Sequence, residues 1–451
     1  STSVDESGTT DTFTVVLDAE PASDVVLTIS SADTGETTVT STLTFTSANW
    51  DTAQTVTVTG VDDDIIDGTQ TTTVTVSVDD ANSDNNFDSL SDETVSVSTT
   101  DDDVAGFTIA ESSGSTSVDE SGTTDTFTVV LDVQPDSDVV LTISSADTGE
   151  ATVTSTLTFT SANWDTAQTV TVTGVDDDLV DGTITSTITV TVNDGSSDDN
   201  FDSVSDQTVS VSTTDDDVAG FTIAESNGST SVAESGTTDT FTVVLNAQPT
   251  SDVVLSISSS DNGEATVTSS LTFTSANWDT AQTVTVTGVD DNLIDGSITS
   301  ITTIAVIDNA SDDSFDSLSD QTVSVSTTDD DVAGFTIAES NGSTSVAESG
   351  TTDTFTVVLN AQPTSDVVLS ISSSDNGEAT VPSLISFTSA NWDTAQTVTV
   401  TGVDDNLVDG AQTTSLSIVV VDVISDDTFD SVADQTVSVT TTDDDVAGFT
   451  I

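Results

Sequence analysis

The sequence of 451 residues contains no Lys, Arg, His or Cys, and these absences exclude several classes of function. Without Lys and Arg there are no side-chain salt bridges, no basic surface for nucleic acid and no cationic grip on phosphate. Without His and Cys, disulfides, thiol nucleophiles and the usual ligands of zinc, haem and iron–sulfur clusters are missing. The 80 Asp and Glu residues give a formal charge of −80, so the chain offers a metal only oxygen ligands.

Long apolar runs are also absent. The strongest run, Ile418 to Val421, is followed by Asp422 and is far shorter than the roughly 20 residues that span a membrane. The chain begins without Met or a basic segment, so any signal peptide would lie outside it. Yet 34% of the residues are hydrophobic and recur in short alternating runs, which indicates folded domains with buried cores.

The sequence repeats itself with a constant period. Ser1-Thr2-Ser3-Val4 returns at Ser115, Ser229 and Ser343, a step of 114 residues each time. A fixed period indicates an array of one structural unit, and this step is long enough for a whole domain. We therefore predict domains at 1–103, lacking its first strand, and at 104–217, 218–331 and 332–445, with 446–451 left over.

Within one repeat, apolar residues alternate with Thr or Ser. Phe13, Val15 and Leu17 form one such run, and Val56 and Val58 belong to another. Alternation with a period of two predicts strands that are buried on one face. About seven runs per repeat, separated by turn residues and without a helical stripe, predict an all-β fold, a tandem array of four immunoglobulin-like antiparallel β-sandwiches.

Each repeat has a single Trp, which is Trp50 in the first. A Trp on a surface loop can serve as a stacking platform for sugars, whereas a lone Trp in a sandwich usually packs against the core. We expect the packing role.

Two acidic segments recur in each repeat. In the first repeat they are 62–67, at the end of a long strand, and Asp101-Asp102-Asp103, directly before the next repeat. Adjacent carboxylates repel each other, and the chain has no side-chain cation to neutralise them. Ca2+ takes about six to eight oxygen ligands with flexible geometry, whereas Mg2+ demands a tight octahedron. The clusters therefore favour Ca2+ sites over merely solvated acidic loops.

The order of these motifs resembles that of Calx-beta repeats, the domains named after sodium–calcium exchangers and common in bacterial surface proteins. The resemblance rests on the strand ending in Gly60-Val61-Asp62-Asp63-Asp64, on Asp67-Gly68, on the closing Asp triplet, and on Leu43-Thr44-Phe45 ahead of Trp50. It implies an immunoglobulin-like sandwich that binds Ca2+ at one end, between loops that meet at the domain junction.

The resemblance also implies a set of ligands for each repeat. In the first repeat they would be Glu6, Asp62, Asp63, Asp67, Asp101, Asp102 and Asp103, with the Ile65 carbonyl. In the others they would be Glu120, Asp176, Asp177, Asp181, Asp215, Asp216 and Asp217; Glu234, Asp290, Asp291, Asp295, Asp329, Asp330 and Asp331; and Glu348, Asp404, Asp405, Asp409, Asp443, Asp444 and Asp445.

Two features depart from the exchanger pattern. The segment Thr37-Thr38-Val39-Thr40 stands where the exchanger domains carry an extra Asp, and Gln70 replaces a second acid after Asp67. These departures favour one or two ions per junction over a cluster of four. Asp64 becomes Asn292 in the third repeat, which indicates that this position is peripheral.

The sequence thus predicts a structural, extracellular protein of the cell surface, a filament or stalk in which Ca2+ clamps the junctions between domains. Its partners would be divalent cations, neighbouring repeats or copies of itself arranged head to tail, and not nucleic acid. The alternatives are a calcium-dependent adhesin module that binds a surface glycan and a calcium-sensing array. No enzymatic activity is expected, because the acidic runs recur four times and no base accompanies a hydroxyl nucleophile.

The two ends of the sequence carry complementary parts of one repeat. Gly448-Phe449-Thr450-Ile451 matches Gly106-Phe107-Thr108-Ile109, the predicted first strand of the second domain, and the first repeat lacks this strand. Either the sequence is a window of a longer array, or the last strand of one copy completes the first domain of the next.

Overall fold

The computed structural model describes residues 2–450. Among these residues there are β-strands, turns and short 3-10 helices, and no α-helix. None of the described segments is a helix long and apolar enough to cross a membrane. The chain forms two compact units, Ser1–Asp217 and Val218–Ile451, and each unit contains two β-sandwiches.

The strands of the first unit form the first and second sandwiches. The first sandwich consists of β1 (Thr2–Asp5), β2 (Thr10–Val15), β3 (Val25–Ser31), β4 (Thr37–Val39), β5 (Thr42–Phe45), β6 (Gln54–Gly60), β7 (Gln70–Val78) and β8 (Glu93–Thr100). The second consists of β9 (Phe107–Glu111), β10 (Thr116–Asp119), β11 (Thr124–Leu131), β12 (Val139–Ser145), β13 (Ala151–Val153), β14 (Thr156–Phe159), β15 (Gln168–Gly174), β16 (Ile184–Val192) and β17 (Gln207–Thr214).

The strands of the second unit form the third and fourth sandwiches. The third consists of β18 (Phe221–Glu225), β19 (Thr230–Ala233), β20 (Thr238–Leu245), β21 (Val253–Ser259), β22 (Ala265–Val267), β23 (Ser270–Phe273), β24 (Gln282–Gly288), β25 (Ile298–Val306) and β26 (Gln321–Thr328). The fourth consists of β27 (Phe335–Glu339), β28 (Thr344–Ala347), β29 (Thr352–Leu359), β30 (Val367–Ser373), β31 (Ala379–Thr380), β32 (Leu384–Phe387), β33 (Gln396–Gly402), β34 (Gln412–Val420) and β35 (Gln435–Thr442).

Short 3-10 helices connect the last two strands of each sandwich. They are Asp80–Asn82, Asp194–Ser196, Asp199–Phe201, Asp308–Ala310, Asp313–Phe315, Asp422–Ile424 and Asp427–Phe429.

Each sandwich has a five-stranded sheet and a smaller sheet. In the second sandwich the strand orders are β10-β17-β16-β12-β14 and β13-β15-β11-β9, and the third and fourth sandwiches repeat both orders. In the first sandwich the smaller sheet has three strands, β2-β6-β4, and among the described residues nothing pairs with β2 where β9 pairs with β11. This arrangement confirms the predicted all-β, immunoglobulin-like sandwiches.

Two details differ from the sequence prediction. The second, third and fourth sandwiches have nine strands where about seven were predicted, because each has two additional short strands, such as β10 in the larger sheet and β13 in the smaller one. The pairing of β10 with β17 is parallel, as is that of β1 with β8, so the larger sheet is not wholly antiparallel. Strands of three or four residues are too short for alternation to reveal them.

The core lies between the two sheets. In the second sandwich Phe127, Phe159 and Phe201 are fully buried together with Val and Leu side chains of both sheets. Burying each such side chain contributes about 1.5–3 kcal/mol. Trp164 packs half-buried against this core, and Trp50 does so in the first sandwich, which confirms the predicted packing role of the Trp residues.

Candidate metal centre

Glu6 lies where β1 ends, and its side chain is 1% exposed. Its backbone N–H donates a hydrogen bond of 3.1 Å to the Thr100 carbonyl, so the larger sheet fixes its position. Gly60, at the end of β6, lies against the same backbone, and a Cβ on Gly60 would be 2.1 Å from the Asp5 carbonyl oxygen. Only Gly allows this close approach. The equivalent residues Glu120, Glu234 and Glu348 are equally buried.

Glu36 supplies a second buried carboxylate, which was not among the ligands predicted from the sequence. It directly precedes β4, and its backbone carbonyl accepts a hydrogen bond of 2.9 Å from the N–H of Val61, the residue before Asp62. Glu36 and its equivalents Glu150, Glu264 and Glu378 are 7–9% exposed. The segment that begins at Thr37 stands where the exchanger domains carry an extra Asp, and the sequence had suggested that this acidic ligand was lost. The structure shows that an acid, Glu36, directly precedes Thr37. The signal available in the sequence was a Gly-Glu pair that recurs with the period of the domains.

The middle loop, residues 61–69 between β6 and β7, presents Asp63 in a tight turn. One carboxylate oxygen of Asp63 accepts a hydrogen bond of 2.9 Å from the N–H of Ile65. The equivalents Asp177, Asp291 and Asp405 make the same bond, at 2.6–2.7 Å, to the residue two positions on. This turn fixes the orientation of the Asp63 carboxylate and leaves its second oxygen available to a metal ion. Asp62 and its equivalents Asp176, Asp290 and Asp404 are exposed.

The three residues of the closing Asp triplet differ in their surroundings. Asp101 accepts hydrogen bonds from the N–H groups of Gly68, at 2.7 Å, and Asp103, at 2.8 Å, so it braces the middle loop against the triplet. Asp215, Asp329 and Asp443 make equivalent bonds in the other sandwiches. The second residue, Asp102, is exposed, as are Asp216, Asp330 and Asp444. The third, Asp103, is half-buried, as are Asp217, Asp331 and Asp445.

The fold brings five carboxylates together in two groups that share Glu6. One group is Glu6, Glu36 and Asp67, and the other is Glu6, Asp63 and Asp103; within each group the ligand atoms lie within 4.8 Å of one another. The second sandwich repeats both groups, as Glu120, Glu150 and Asp181 and as Glu120, Asp177 and Asp217, and the third contains Glu234, Glu264 and Asp295. The residues of each group come from parts of the repeat that are far apart in sequence.

Several oxygens in these groups are buried without a hydrogen-bond partner among the described residues. In the first sandwich they are Oε2 of Glu6, Oε2 of Glu36 and Oδ2 of Asp103. Leaving a buried carboxylate oxygen unpaired is costly, and the chain has no Lys, Arg or His side chain to pair with it. A hard divalent cation with oxygen ligands fits this donor set, so the residues present suit Ca2+.

Burial changes the protonation of the shared glutamate. It raises the pKa of Glu6 to about 7, and the nearby charges of Asp101, Asp63, Glu36 and Asp67 add to the effect. The pKa values of Glu120, Glu234 and Glu348 are raised to about 7 by the same causes. Burial, followed by the charge of Asp101, raises the pKa of Asp103 to about 6. Without a cation these carboxyl groups retain protons that metal binding has to displace.

A buried Asp elsewhere in each sandwich shows that burial alone does not make a metal site. Asp312, which is 4% exposed, accepts hydrogen bonds from Thr250, Ser251 and Ser314. Although burial acts to raise its pKa, these hydrogen bonds hold the pKa of Asp312 well below its ordinary value. Asp312 is therefore a satisfied structural carboxylate that holds two loops together.

The middle loop also docks on the next sandwich of the same unit. In the first unit, the N–H of Gln134 donates a hydrogen bond of 2.7 Å to the Asp64 carbonyl, Ile65 forms a parallel bridge with Gln134, and Ile66 packs against the core of the second sandwich. In the second unit, Gln362 bonds the Asn292 carbonyl at 2.6 Å, and Ile294 packs against the core of the fourth sandwich. The contact of Asp64 uses its backbone, which explains why Asn can replace it. The loop that carries Asp63 and Asp67 is thus part of the junction.

No protein-family model matches this chain, and no curated protein matches it. Solved structures similar to it include domains 4–9 of the surface layer protein SbsC, 18% identical over 92% of this chain with a TM-score of 0.22. The chain spans 57% of the length of that fragment. The human desmocollin-1 ectodomain is 10% identical, covering 87% of this chain and 68% of its own, with a TM-score of 0.25. The calcium binding domain CBD12 of CALX1.1 is 12% identical, covering 44% of this chain and 79% of its own, with a TM-score of 0.21.

Proposed function

We propose that this chain is a calcium-binding structural protein of the cell surface, an array of sandwiches whose junctions are stiffened by Ca2+. The observation that carries the proposal is the buried Glu6, which has an oxygen without a hydrogen-bond partner and whose carboxylate lies within 4.8 Å of carboxylate oxygens from the middle loop and the closing triplet. Two groups share this glutamate, so two ions per sandwich fit the residues present.

The position of the ligands supports a mechanical role. Asp63 and Asp67 flank Ile66, which packs against the next sandwich of the first unit, and Asp103 precedes that sandwich by four residues. Without a cation, repulsion between these carboxylates opposes the loop conformation that docks Ile66. A bound cation removes the repulsion and stabilises that conformation, by about 2.7 kcal/mol per site at a hundredfold excess over the dissociation constant.

An extracellular filament or stalk suits this chemistry better than a sensor, an adhesin tip or an enzyme. The same buried glutamate recurs in all four sandwiches, as expected for an array in which every unit has the same structural role. Extracellular calcium modules work at dissociation constants of about 10⁻⁴–10⁻³ M, where a permanently loaded site needs no high affinity. The absence of Lys and Arg also removes every trypsin site, which suits an exposed fibre.

Calcium removal tests the proposal directly. We expect small-angle X-ray scattering of the full chain to show a longer, stiffer particle in calcium than after chelation, because the middle loops lose their docked conformation without the ion. Cleavage by a protease specific for acidic residues should become faster after chelation. Identical scattering profiles in the two conditions would contradict the mechanical role, and the absence of bound calcium at millimolar concentration would contradict the site itself.

Substituting the docking side chains separates ion binding from stiffening. The double variant Ile66→Ser and Ile294→Ser should retain the calcium stoichiometry of the wild type, because neither side chain is a ligand. In calcium its scattering should resemble that of the chelated wild type. Ile301→Ser is the matched control, since Ile301 is 38% exposed on β25 and is not part of a middle loop. A double variant that stays as stiff as the wild type would show that the Ile66 and Ile294 contacts do not transmit the effect.

A further inference from the structure

The middle loop of the first sandwich runs beside a loop of the second sandwich, residues 132–138 between β11 and β12. Ile65 and Gln134 form a parallel bridge that joins these two loops. In a parallel pairing both segments advance in the same direction. Asp67 and Asp136 each lie two positions beyond the bridge, so the pairing brings these two acids towards each other across the junction.

The electrostatics of the loop agree with this placement. Partial removal from solvent raises the pKa of Asp67, and the nearby charges of Asp63, Asp101 and Asp136 raise it further. Asp63 and Asp101 belong to the first sandwich, whereas Asp136 belongs to the second. An acid of the second sandwich is therefore close enough to act on a carboxylate of the first.

Asp67 is the outer member of a carboxylate group whose other members are buried. Its ligand atom lies within 4.8 Å of those of Glu6 and Glu36, which are 1% and 9% exposed. Each of these two glutamates has a buried Oε2 without a hydrogen-bond partner among the described residues. Because Ca2+ takes about six to eight oxygen ligands, an ion held by these three carboxylates has room for a fourth. Asp67 is exposed, so a further ligand can approach from its side of the group.

The acid at position 136 is a departure from the pattern of the later sandwiches. Thr250 and Thr364 are the equivalent residues of the third and fourth sandwiches, and their hydroxyls donate hydrogen bonds to Asp312 and Asp426. A carboxylate cannot donate such a bond. Asp136 thus gives up a contact that joins two loops of its own sandwich, and a local loss of this kind is expected where a residue has another role.

We propose that Asp136 is an additional ligand of the calcium ion held by Glu6, Glu36 and Asp67, so that this ion bridges the first and second sandwiches directly. The inference rests on the proposed calcium function and deepens it, because it assigns one ligand of the ion to the neighbouring sandwich. The bridging ion then holds the junction by its own bonds, in addition to stabilising the loop that docks there.

The junction within the second unit lacks this ligand. Leu293 and Gln362 form the equivalent parallel bridge, and the residues two positions beyond it are Asp295 and Thr364. The hydroxyl of Thr364 donates a hydrogen bond of 2.7 Å to Asp426 of its own sandwich. Since calcium affinity depends on the number of charged ligands, one added carboxylate should make the ion of the first junction bind about tenfold more tightly.

Hydrogen–deuterium exchange read by mass spectrometry tests the proposal, because it follows each middle loop of the full chain separately during a calcium titration. The measured quantity is the calcium concentration that half-protects the amides of a loop. Asp136→Thr should raise this concentration about tenfold for residues 61–69 and leave it unchanged for 175–183, the middle loop of the second sandwich. Thr364→Asp should lower it for 289–297, the middle loop of the third sandwich. Thr is the natural residue at the equivalent positions, so Asp136→Thr is compatible with the fold.

Asp138→Asn is the matched control, since it removes an exposed charge from the same loop of the second sandwich. It should change the half-protecting calcium concentration of residues 61–69 by less than about twofold, as expected for a surface charge. Equal shifts in Asp136→Thr and Asp138→Asn would overturn the bridging ligand in favour of general charge. An unchanged value in Asp136→Thr, with calcium still protecting residues 61–69, would also overturn it and would leave the calcium function intact. If calcium protected none of the middle loops of the wild type, the calcium function itself would fail.

Discussion

Replacing Glu6, Glu120, Glu234 and Glu348 together by Gln is expected to abolish calcium binding and, at the same time, to raise the Tm of the calcium-free protein. Each glutamate is 1% exposed, and in the first two sandwiches it belongs to both carboxylate groups. Gln keeps the shape but removes a charge that burial and neighbouring acids make unfavourable. The calcium-dependent stabilisation, about 2.7 kcal/mol per site at a hundredfold excess of ion, should disappear.

The control for this variant removes the same number of charges at exposed positions. Asp102, Asp216, Asp330 and Asp444 are the exposed second residues of the triplets, and their replacement by Asn should leave most calcium binding in place. Isothermal titration calorimetry gives the ion stoichiometry, and calorimetric unfolding in metal-free buffer gives the Tm. If the Glu→Gln and the Asp→Asn quadruple variants lost calcium binding to the same extent, the general negative charge of the protein would account for calcium binding, and not the shared glutamates as ligands. Wild-type stoichiometry in the glutamate variant would exclude the shared glutamate as a ligand.

The sequence was most informative where a feature is both repeated and locally dense. Runs of Asp marked the middle loop and the closing triplet, and the structure places Asp63, Asp67 and Asp103 of the first repeat in the two carboxylate groups with Glu6. Glu36 was missed because it stands alone among Thr and Gly, so no local pattern indicates that folding carries it to Glu6. Contacts between distant parts of a repeat are set by the sheet topology, and a period-two pattern does not contain that information.

The separate roles within the Asp triplet could not have been read from the sequence either. Three adjacent aspartates look equivalent, but an extended backbone turns successive side chains to opposite faces. Asp101 and Asp103 are therefore half-buried while Asp102 is exposed. Asp101 is further distinguished by the N–H of Gly68, which comes from the middle loop. The parallel pairing of β1 with β8 was hidden for a related reason, since alternation predicts a strand but not its neighbour.

The second large effect is the dependence of stability on pH, which should have opposite signs in the metal-free and in the calcium-loaded protein. In the metal-free protein, burial raises the pKa of Glu6 from 4.5 to about 7, and the other three shared glutamates are raised to the same level. Between these values the folded chain holds protons that the unfolded chain releases. Stability is therefore fully present below about pH 4.5 and is lost as the pH rises through about 7. We expect the Tm of metal-free protein to fall over this range.

With calcium present the trend should reverse, because the ion binds the deprotonated carboxylates and its affinity rises with pH. The difference in Tm between calcium-loaded and metal-stripped protein should thus widen steadily from about pH 5 to pH 7.5.

Calorimetric unfolding at several pH values measures both curves, with metal removed beforehand so that no pH-dependent chelator is present. The quadruple Glu→Gln variant should lose most of the slope of the metal-free curve, since the ordinary surface carboxylates are already ionised at pH 5. A metal-free Tm that stays constant or rises across this range would contradict the burial of ionisable glutamates, whereas a calcium increment that does not grow with pH would contradict their role as ligands.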